Sequence, residues 1–189
     1  MELAGGAVLP ADHVVLALPL GALKHAHAHM FSPPLPREKI EVIEQLEFGL
    51  MDKIFLEFEE VFWDPGNPGI QFIMTDTGSD EDDLSDTWWR SIAGFDGVAG
   101  QPRVLCGWIS GEAAAFMEVR MMEISLFILH SRYLQKLTDV QILKTCHDLL
   151  RRHVGDHVPA PARCHVTRWG AETHIRGSYS YSTPECDLR

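Results

Sequence analysis

Asp52-Lys53-Ile54-Phe55-Leu56-Glu57-Phe58-Glu59-Glu60 is the stretch whose reading decides the fold. Ile54, Leu56 and Phe58 recur at every second position, with Phe55 and Glu57 between them. That is the period of a half-buried strand. Lys53 stands at its mouth, and Phe62-Trp63 follows it. A lysine so placed either ends the strand in solvent or, in a desolvated pocket, holds or deprotonates a water. The local sequence leaves both readings open. Trp63-Asp64-Pro65-Gly66-Asn67-Pro68-Gly69 then reads as a turn.

Upstream, residues 13–18 are almost wholly apolar and predict a strand buried on both faces, stopped by Pro19-Leu20-Gly21. Pro33-Pro34-Leu35-Pro36 marks a bend, with Pro36 placed for the first turn of a helix. Ile40, Ile43 and Leu46-Glu47 continue at helical spacing, and Gly49 ends the run. Downstream, 70–74, 87–95 and 103–109 predict three strands, the last two joined through 97–102. The acidic segment 78–86 reads as a solvated loop. A helix follows Gly111. Residues 138–153 predict an amphipathic helix with Thr138 as N-cap and Gln141 completing a capping box. Its apolar side is Val140, Leu143, Cys146-His147, Leu149-Leu150 and Val154, and Gly155 ends it. Pro159-Ala160-Pro161 leads to a last strand over 164–169. The expected class is α+β: a mixed, largely antiparallel sheet with helices on one face.

The chain has 189 residues, 46% of them hydrophobic, enough for a packed core. Lys plus Arg number 16 against 27 Asp plus Glu, a net charge of −11. That balance disfavours nucleic acid and anionic membranes as partners. It suits a cationic substrate drawn in over a distance, or plain solubility. Cys106, Cys146, Cys164 and Cys186 form no Cys-x-x-Cys pair, which points to a reducing compartment. No signal peptide is expected, because the start has no basic segment followed by an apolar run. No apolar stretch is long and continuous enough for a membrane span. His25-x-His27-x-His29 would face one side of a strand and raises zinc or copper. No carboxylate or cysteine lies close by in sequence to complete such a site, so no metal is expected. Asp80-Glu81-Asp82-Asp83 lacks the spacing of a calcium loop.

Several motifs carry a family resemblance. Val14-Val15-Leu16-Ala17-Leu18-Pro19-Leu20-Gly21-Ala22-Leu23 resembles the strand and exit turn that lead from flavin domain to substrate domain in the flavin amine oxidases. Pro33-Pro34-Leu35-Pro36, Lys53 to Glu60, Gly107-Trp108-Ile109-Ser110-Gly111-Glu112, Arg168-Trp169 and Arg176-Gly177-Ser178-Tyr179-Ser180-Tyr181 follow in the family's order. The chain resembles the flavin-dependent polyamine oxidases, in the branch of peroxisomal N1-acetylpolyamine oxidases and spermine oxidases. The histone demethylase branch stands further off.

The resemblance implies an amine oxidase substrate-binding domain plus one edge of a flavin-binding domain, with FAD as cofactor. The implied reaction oxidises acetylated or free polyamines such as spermine and spermidine with O2, giving an aldehyde, a shorter amine and H2O2. It implies that Lys53 is the catalytic lysine and a cofactor contact, holding a water beside the reactive flavin nitrogen. Pro19 and Leu20 are expected at the cofactor, and Tyr179, Trp63 and Trp169 at the substrate. A peroxisomal or cytoplasmic location follows from the same resemblance.

The sequence also departs from that pattern. It holds no Gly-x-Gly-x-x-Gly turn for the flavin pyrophosphate, and its last residues, from Pro184, are unlike the family. Residues 119–136 read as an insertion of helical, apolar character. The expected division is 1–22 as a remnant of the FAD-binding domain, 23–169 as substrate-binding domain, and 170–189 as a return to the FAD domain with an atypical tail. The chain alone is expected to be inactive and to associate through apolar surface that faces the flavin domain. The alternative is a non-catalytic isoform or an interaction module that binds a partner.

Overall fold

A computed structural model of the chain describes residues 3, 5–66, 68–74, 84–118 and 137–184. The expected insertion at 119–136, the acidic run at 80–83, Cys186 and residues 185–189 lie outside the described residues. Along the chain stand α1 (Leu20–Met30), α2 (Arg37–Gln45), β1 (Glu47–Gly49), β2 (Met51–Glu57), β3 (Gly69–Gln71), α3 (Leu84–Thr87), β4 (Gly94–Val98), β5 (Gln101–Ser110), α4 (Gly111–Glu118), α5 (Asp139–Val154), β6 (Arg163–Val166) and β7 (Tyr179–Tyr181).

The strand read first from the sequence is the centre of the fold. β2 pairs antiparallel with β5 on one side and β6 on the other, in a five-stranded sheet of order β3-β4-β5-β2-β6. Its side chains alternate between the faces, as the pleat requires. Ile54 and Leu56, with Phe58 just beyond the strand, are fully buried. They pack with Leu105 and Ile109 of β5, Ala114 and Met117 of α4, and Ile142, Cys146, Leu149 and Leu150 of α5. The opposite face carries Lys53, Phe55 and Glu57, all half-buried. The α+β class and the antiparallel sheet stand as expected.

α5 runs from Asp139 to Val154 behind the expected cap. The Gln141 backbone N–H donates to Thr138 Oγ1 at 3.2 Å, and the Thr138 N–H donates to Gln141 Oε1 at 2.9 Å. Thr138→Ala removes one half of this box and is expected to cost about 1 kcal/mol. A urea denaturation midpoint unchanged in that variant would remove the cap from the helix's stability. Val140 does not join the apolar stripe, being 76% exposed; Ile142, one half-turn on, takes the buried position.

Four expectations are corrected. Residues 13–18 form no strand, and Val15 is 93% exposed. A strand buried on both faces needs neighbours on both edges, and no strand in either sheet lies beside this segment. Pro19 does not stop a strand but caps α1; its missing N–H costs nothing at a helix start. The three histidines therefore sit on a helix, where residues two apart point about 200° apart, not to one side. His27 faces Glu44 of α2 at 3.8 Å, and no cluster of three metal-ligating side chains occurs among the described residues. Third, α2 ends at Gln45, before Gly49, because residues 47–49 pair with β7, a partner remote in sequence.

The fourth correction concerns 87–95, which is not one strand. α3 passes into a 3-10 turn at Trp88–Ser91 before β4 begins. Ser91 Oγ donates to the Trp88 carbonyl at 2.9 Å and Trp89 Nε1 to the Asp86 carbonyl at 2.8 Å, side-chain bonds that close turns instead of leaving the backbone for a ladder. No helix among the described residues is long and apolar enough to cross a membrane.

Candidate active site

The register of β2 against β5 places Lys53 directly opposite Trp108 on the open face of the sheet. Lys53 Nζ lies 4.3 Å from the centroid of the Trp108 ring, a cation–π contact. The lysine's backbone is held from the other side. Its N–H donates to Thr167 Oγ1 at 2.8 Å, and its carbonyl accepts the Thr167 N–H at 2.9 Å. Both edges of the strand are thus tied, and the ammonium has a defined place.

The second wall comes from the C-terminal segment. Ser178 is stitched to the start of β2: its N–H donates to the Gly49 carbonyl at 2.8 Å, its Oγ donates to the Met51 carbonyl at 2.6 Å and accepts the Met51 N–H at 3.0 Å. The Gly177 N–H donates to the Trp169 carbonyl at 3.0 Å. Gly177 has φ of +143°, and a Cβ there would lie 2.5 Å from the Phe48 ring, so this wall requires glycine. β7 follows at once and pairs with β1, which brings Tyr179 to the rim.

These elements enclose a cleft of about 270 Å³. Trp108, Trp169 and Tyr179 present rings to it that are 37%, 38% and 55% exposed. Among the described residues that line it, Lys53 is the one charged group and none is a carboxylate. Such a surface accepts flat or cationic organic groups by stacking and cation–π contact.

Beneath the cleft lies a carboxylate pair. Asp52 is fully buried and Glu118 is 5% exposed. Asp52 Oδ1 accepts from Thr167 Oγ1 at 2.9 Å and from the Trp169 N–H at 3.1 Å. Glu118 accepts the Gly170 N–H at 2.9 Å through one oxygen and the Ala171 N–H at 2.6 Å through the other. Burial, then the neighbouring Asp52 carboxyl, pushes the Glu118 carboxyl up to about 8, against the pull of those two N–H groups. Burial likewise pushes the Cys106, Cys146 and Cys164 thiols up, so none of the three is an activated nucleophile.

Of the residues singled out from the sequence, Lys53, Trp169 and Tyr179 meet at the cleft. Trp63 does not. It is 9% exposed in the core, with its ring 4.9 Å from Phe62 and 5.5 Å from Phe58. Pro19 and Leu20 are not among the lining residues either. They begin α1, whose Gly21 sits so close to the Ile175 carbonyl that a Cβ would come within 2.5 Å of it. α1 therefore backs the wall that Ile175 and Gly177 form. Trp108 and Ser178 were not foreseen as site residues. Pairing the two central strands by their alternation would have placed Trp108 across from Lys53; Ser178 has no comparable local signal.

The described residues thus set a lysine among open aromatic rings within an α+β unit. The match extends along the sequence: residues 1–186 fit the family described as flavin containing amine oxidoreductase, and the chain belongs to that family. It is 38% identical over 187 residues to the human protein named peroxisomal N(1)-acetyl-spermine/spermidine oxidase, covering 96% of this chain and 33% of that one. The bovine protein of the same name is 37% identical over the same coverage. A Drosophila melanogaster protein named possible lysine-specific histone demethylase 1 is 32% identical, covering 90% of this chain and 17% of that one. Among solved structures, a triple mutant of putrescine oxidase matches with a TM-score of 0.58 at 21% identity, covering 91% of this chain and 32% of that one; it speaks for the fold. The chain spans about a third of the length of the first of these curated relatives.

The family is one of flavoproteins. The donor set suits that cofactor. A flavin ring is flat and rich in acceptor atoms; the described lining offers aromatic walls and one ammonium donor.

Proposed function

We propose that this chain carries the amine-facing part of an FAD-dependent polyamine oxidase that acts on spermine, spermidine or their acetylated forms. The observation that supports it most is the Lys53 ammonium lying 4.3 Å over Trp108 in the aromatic cleft. The names of the human and bovine relatives support N1-acetylated substrates and a peroxisomal location, with the cytoplasm as the other candidate. In the proposed division, residues 1–22 belong to the edge of the flavin-binding unit, 23–169 form the amine-facing unit, and 170–189 lead back.

When bound, the flavin supplies the hydride acceptor and the route to O2. The chain's own residues would do the rest. Trp169 and Tyr179 would stack on the methylene chain and cationic nitrogens of the polyamine and exclude water. The net charge of −11 draws the polycation from a distance. Close in, the Lys53 ammonium disfavours a second positive charge, so the nitrogen beside it is held neutral, the state that can release hydride. Lys53 Nζ would also hold a water by donating a hydrogen bond to it.

The test is to add FAD to the expressed chain, desalt, and record retained flavin absorbance, peroxide release on N1-acetylspermine, and binding of that amine by calorimetry. Amine binding supports the reading, and retained flavin with peroxide would extend it to turnover by this chain alone. No binding of the amine, with or without FAD, overturns it. A second reading, an interaction module, is favoured by the apolar segment 14–18, where Val14, Val15, Leu16 and Leu18 are 49%, 93%, 51% and 40% exposed. Partner capture through that segment without amine binding would support it.

A further inference from the structure

We propose that Asp52 and Glu118 are positioning residues: they share one proton, and through it they clamp the segment from Thr167 to Ala171 and hold Trp169 at the cleft. The inference rests on the reading of the Lys53 cleft as the amine site.

The two carboxylates lie on different elements, β2 and α4, and both are buried. Between them they accept four hydrogen bonds from one short segment: Thr167 Oγ1 and the N–H groups of Trp169, Gly170 and Ala171. Each of the three backbone donors is consecutive with the next, so the pair grips the chain on both sides of the Trp169 side chain. The remaining oxygen, Asp52 Oδ2, is buried with no hydrogen-bond partner. A buried carboxylate oxygen left bare is costly. Two carboxylates can bond one another only if one of them carries a proton. A proton held between Glu118 and Asp52 Oδ2 satisfies the bare oxygen and removes one of two buried like charges. Gly170 is built to this contact, since a Cβ there would lie 2.8 Å from Glu118 Oε2.

The other charged groups described on the surrounding elements face elsewhere. Lys53 projects to the opposite face of β2, over Trp108. Arg168 reaches away to Asp139 of α5. Glu112, at the far end of α4, and Glu172 and His174, just past the clamped segment, are exposed. Ionisation of the pair would therefore place two charges beneath Trp169 with no cation against them among the described residues. The Glu118 carboxyl is raised from its ordinary 4.5 to about 8. The clamp's contribution is thus complete below the ordinary value and is lost as pH rises through the folded one.

The reporter is Trp169 itself. The chain holds five tryptophans, so 5-fluorotryptophan labelling gives a small set of fluorine resonances, and Trp169→Phe identifies the one that matters. Across about pH 6 to about pH 9, the Trp169 resonance is expected to shift in one step, with its midpoint well above the carboxylate range. Asp52→Asn supplies the shared hydrogen permanently: its Oδ1 still accepts and its Nδ2 donates to an ionised Glu118. In that variant Trp169 should stay at its low-pH position throughout. Glu118→Gln, which also supplies a fixed donor, should likewise abolish the step. A Trp169 resonance that is flat in the unmodified chain overturns the proposal, as does an unchanged midpoint in whichever variant folds. The experiment uses neither flavin nor amine. A titrating Trp169 in a chain that binds no amine would sink the reading of the cleft and keep the clamp; a flat one in a chain that binds amine would do the reverse.

Discussion

Lys53→Met is expected to slow anaerobic flavin reduction by N1-acetylspermine by about 10²-fold or more in the flavin-loaded enzyme that carries this chain. The argument runs from the strand upward. Lys53 is the one charge among the described residues lining the cleft, and its backbone N–H and carbonyl are both bonded to Thr167. Methionine keeps the length of the side chain and loses, on the proposed reading, both the donor to water and the positive charge that would keep the neighbouring amine neutral. The fold should barely notice. The side chain lies on the open face, and what is lost there is the contact with Trp108, worth about 0.5–1 kcal/mol. Lys53→Arg should restore the charge but only part of the rate, because a planar fork does not put its donors where an ammonium does. Stopped-flow reduction separates these cases, and an unchanged rate in Lys53→Met would remove Lys53 from the chemistry.

Phe58→Ala should have the largest effect on stability, about 3–5 kcal/mol. Phe58 is fully buried, and its ring meets Phe62 at 5.1 Å and Trp63 at 5.5 Å, both edge-on. The two remaining rings cannot close over the void left by the third without moving the turn that follows β2. Against the total of about 5–15 kcal/mol typical of a domain, a loss of that size leaves a chain close to unfolding. Its backbone bond to the Arg103 carbonyl, at 2.9 Å, survives the change, so the measured loss reports packing. Equilibrium urea denaturation checks it; a cost below about 1 kcal/mol would mean that the aromatic cluster repacks freely.

Features written in short-range patterns were legible before the structure. The alternation of Ile54, Leu56 and Phe58 identified the central strand, and Thr138 with Gln141 identified the start of α5, because pleat and cap are local geometry. The class and its helix-covered sheet followed from these. Non-local pairing was not legible. Residues 47–49 and 179–181 are too short and too mixed to announce strands, and each becomes one only through the other. The apolar run at 13–18 misled for the converse reason: its composition suits a buried strand, but burial depends on neighbours. Trp63 was placed at the substrate through the family resemblance, yet the turn folds it back into the core. In the site, Lys53, Trp169 and Tyr179 were singled out through the family resemblance, whereas Trp108 emerges from the β2–β5 register. The Asp52–Glu118 pair joins residues 66 positions apart, read from their numbers, and no local spacing could announce it.

The alternating faces of β2 have an evolutionary consequence. Positions 52, 54 and 56 answer to the interior, and positions 53, 55 and 57 to whatever occupies the open side. Point substitutions at the odd positions can therefore drift with ligand preference while the even ones stay put, two lineages of change on one strand. Insertion or deletion is a different matter. Losing a single residue between Gly49 and Asp52 would exchange the roles at one stroke, swinging an ammonium into the interior and a carboxylate into the cleft. Divergence at this strand should accordingly proceed by replacement alone, with length held constant, and any change in length should be confined to the turn beyond Phe58.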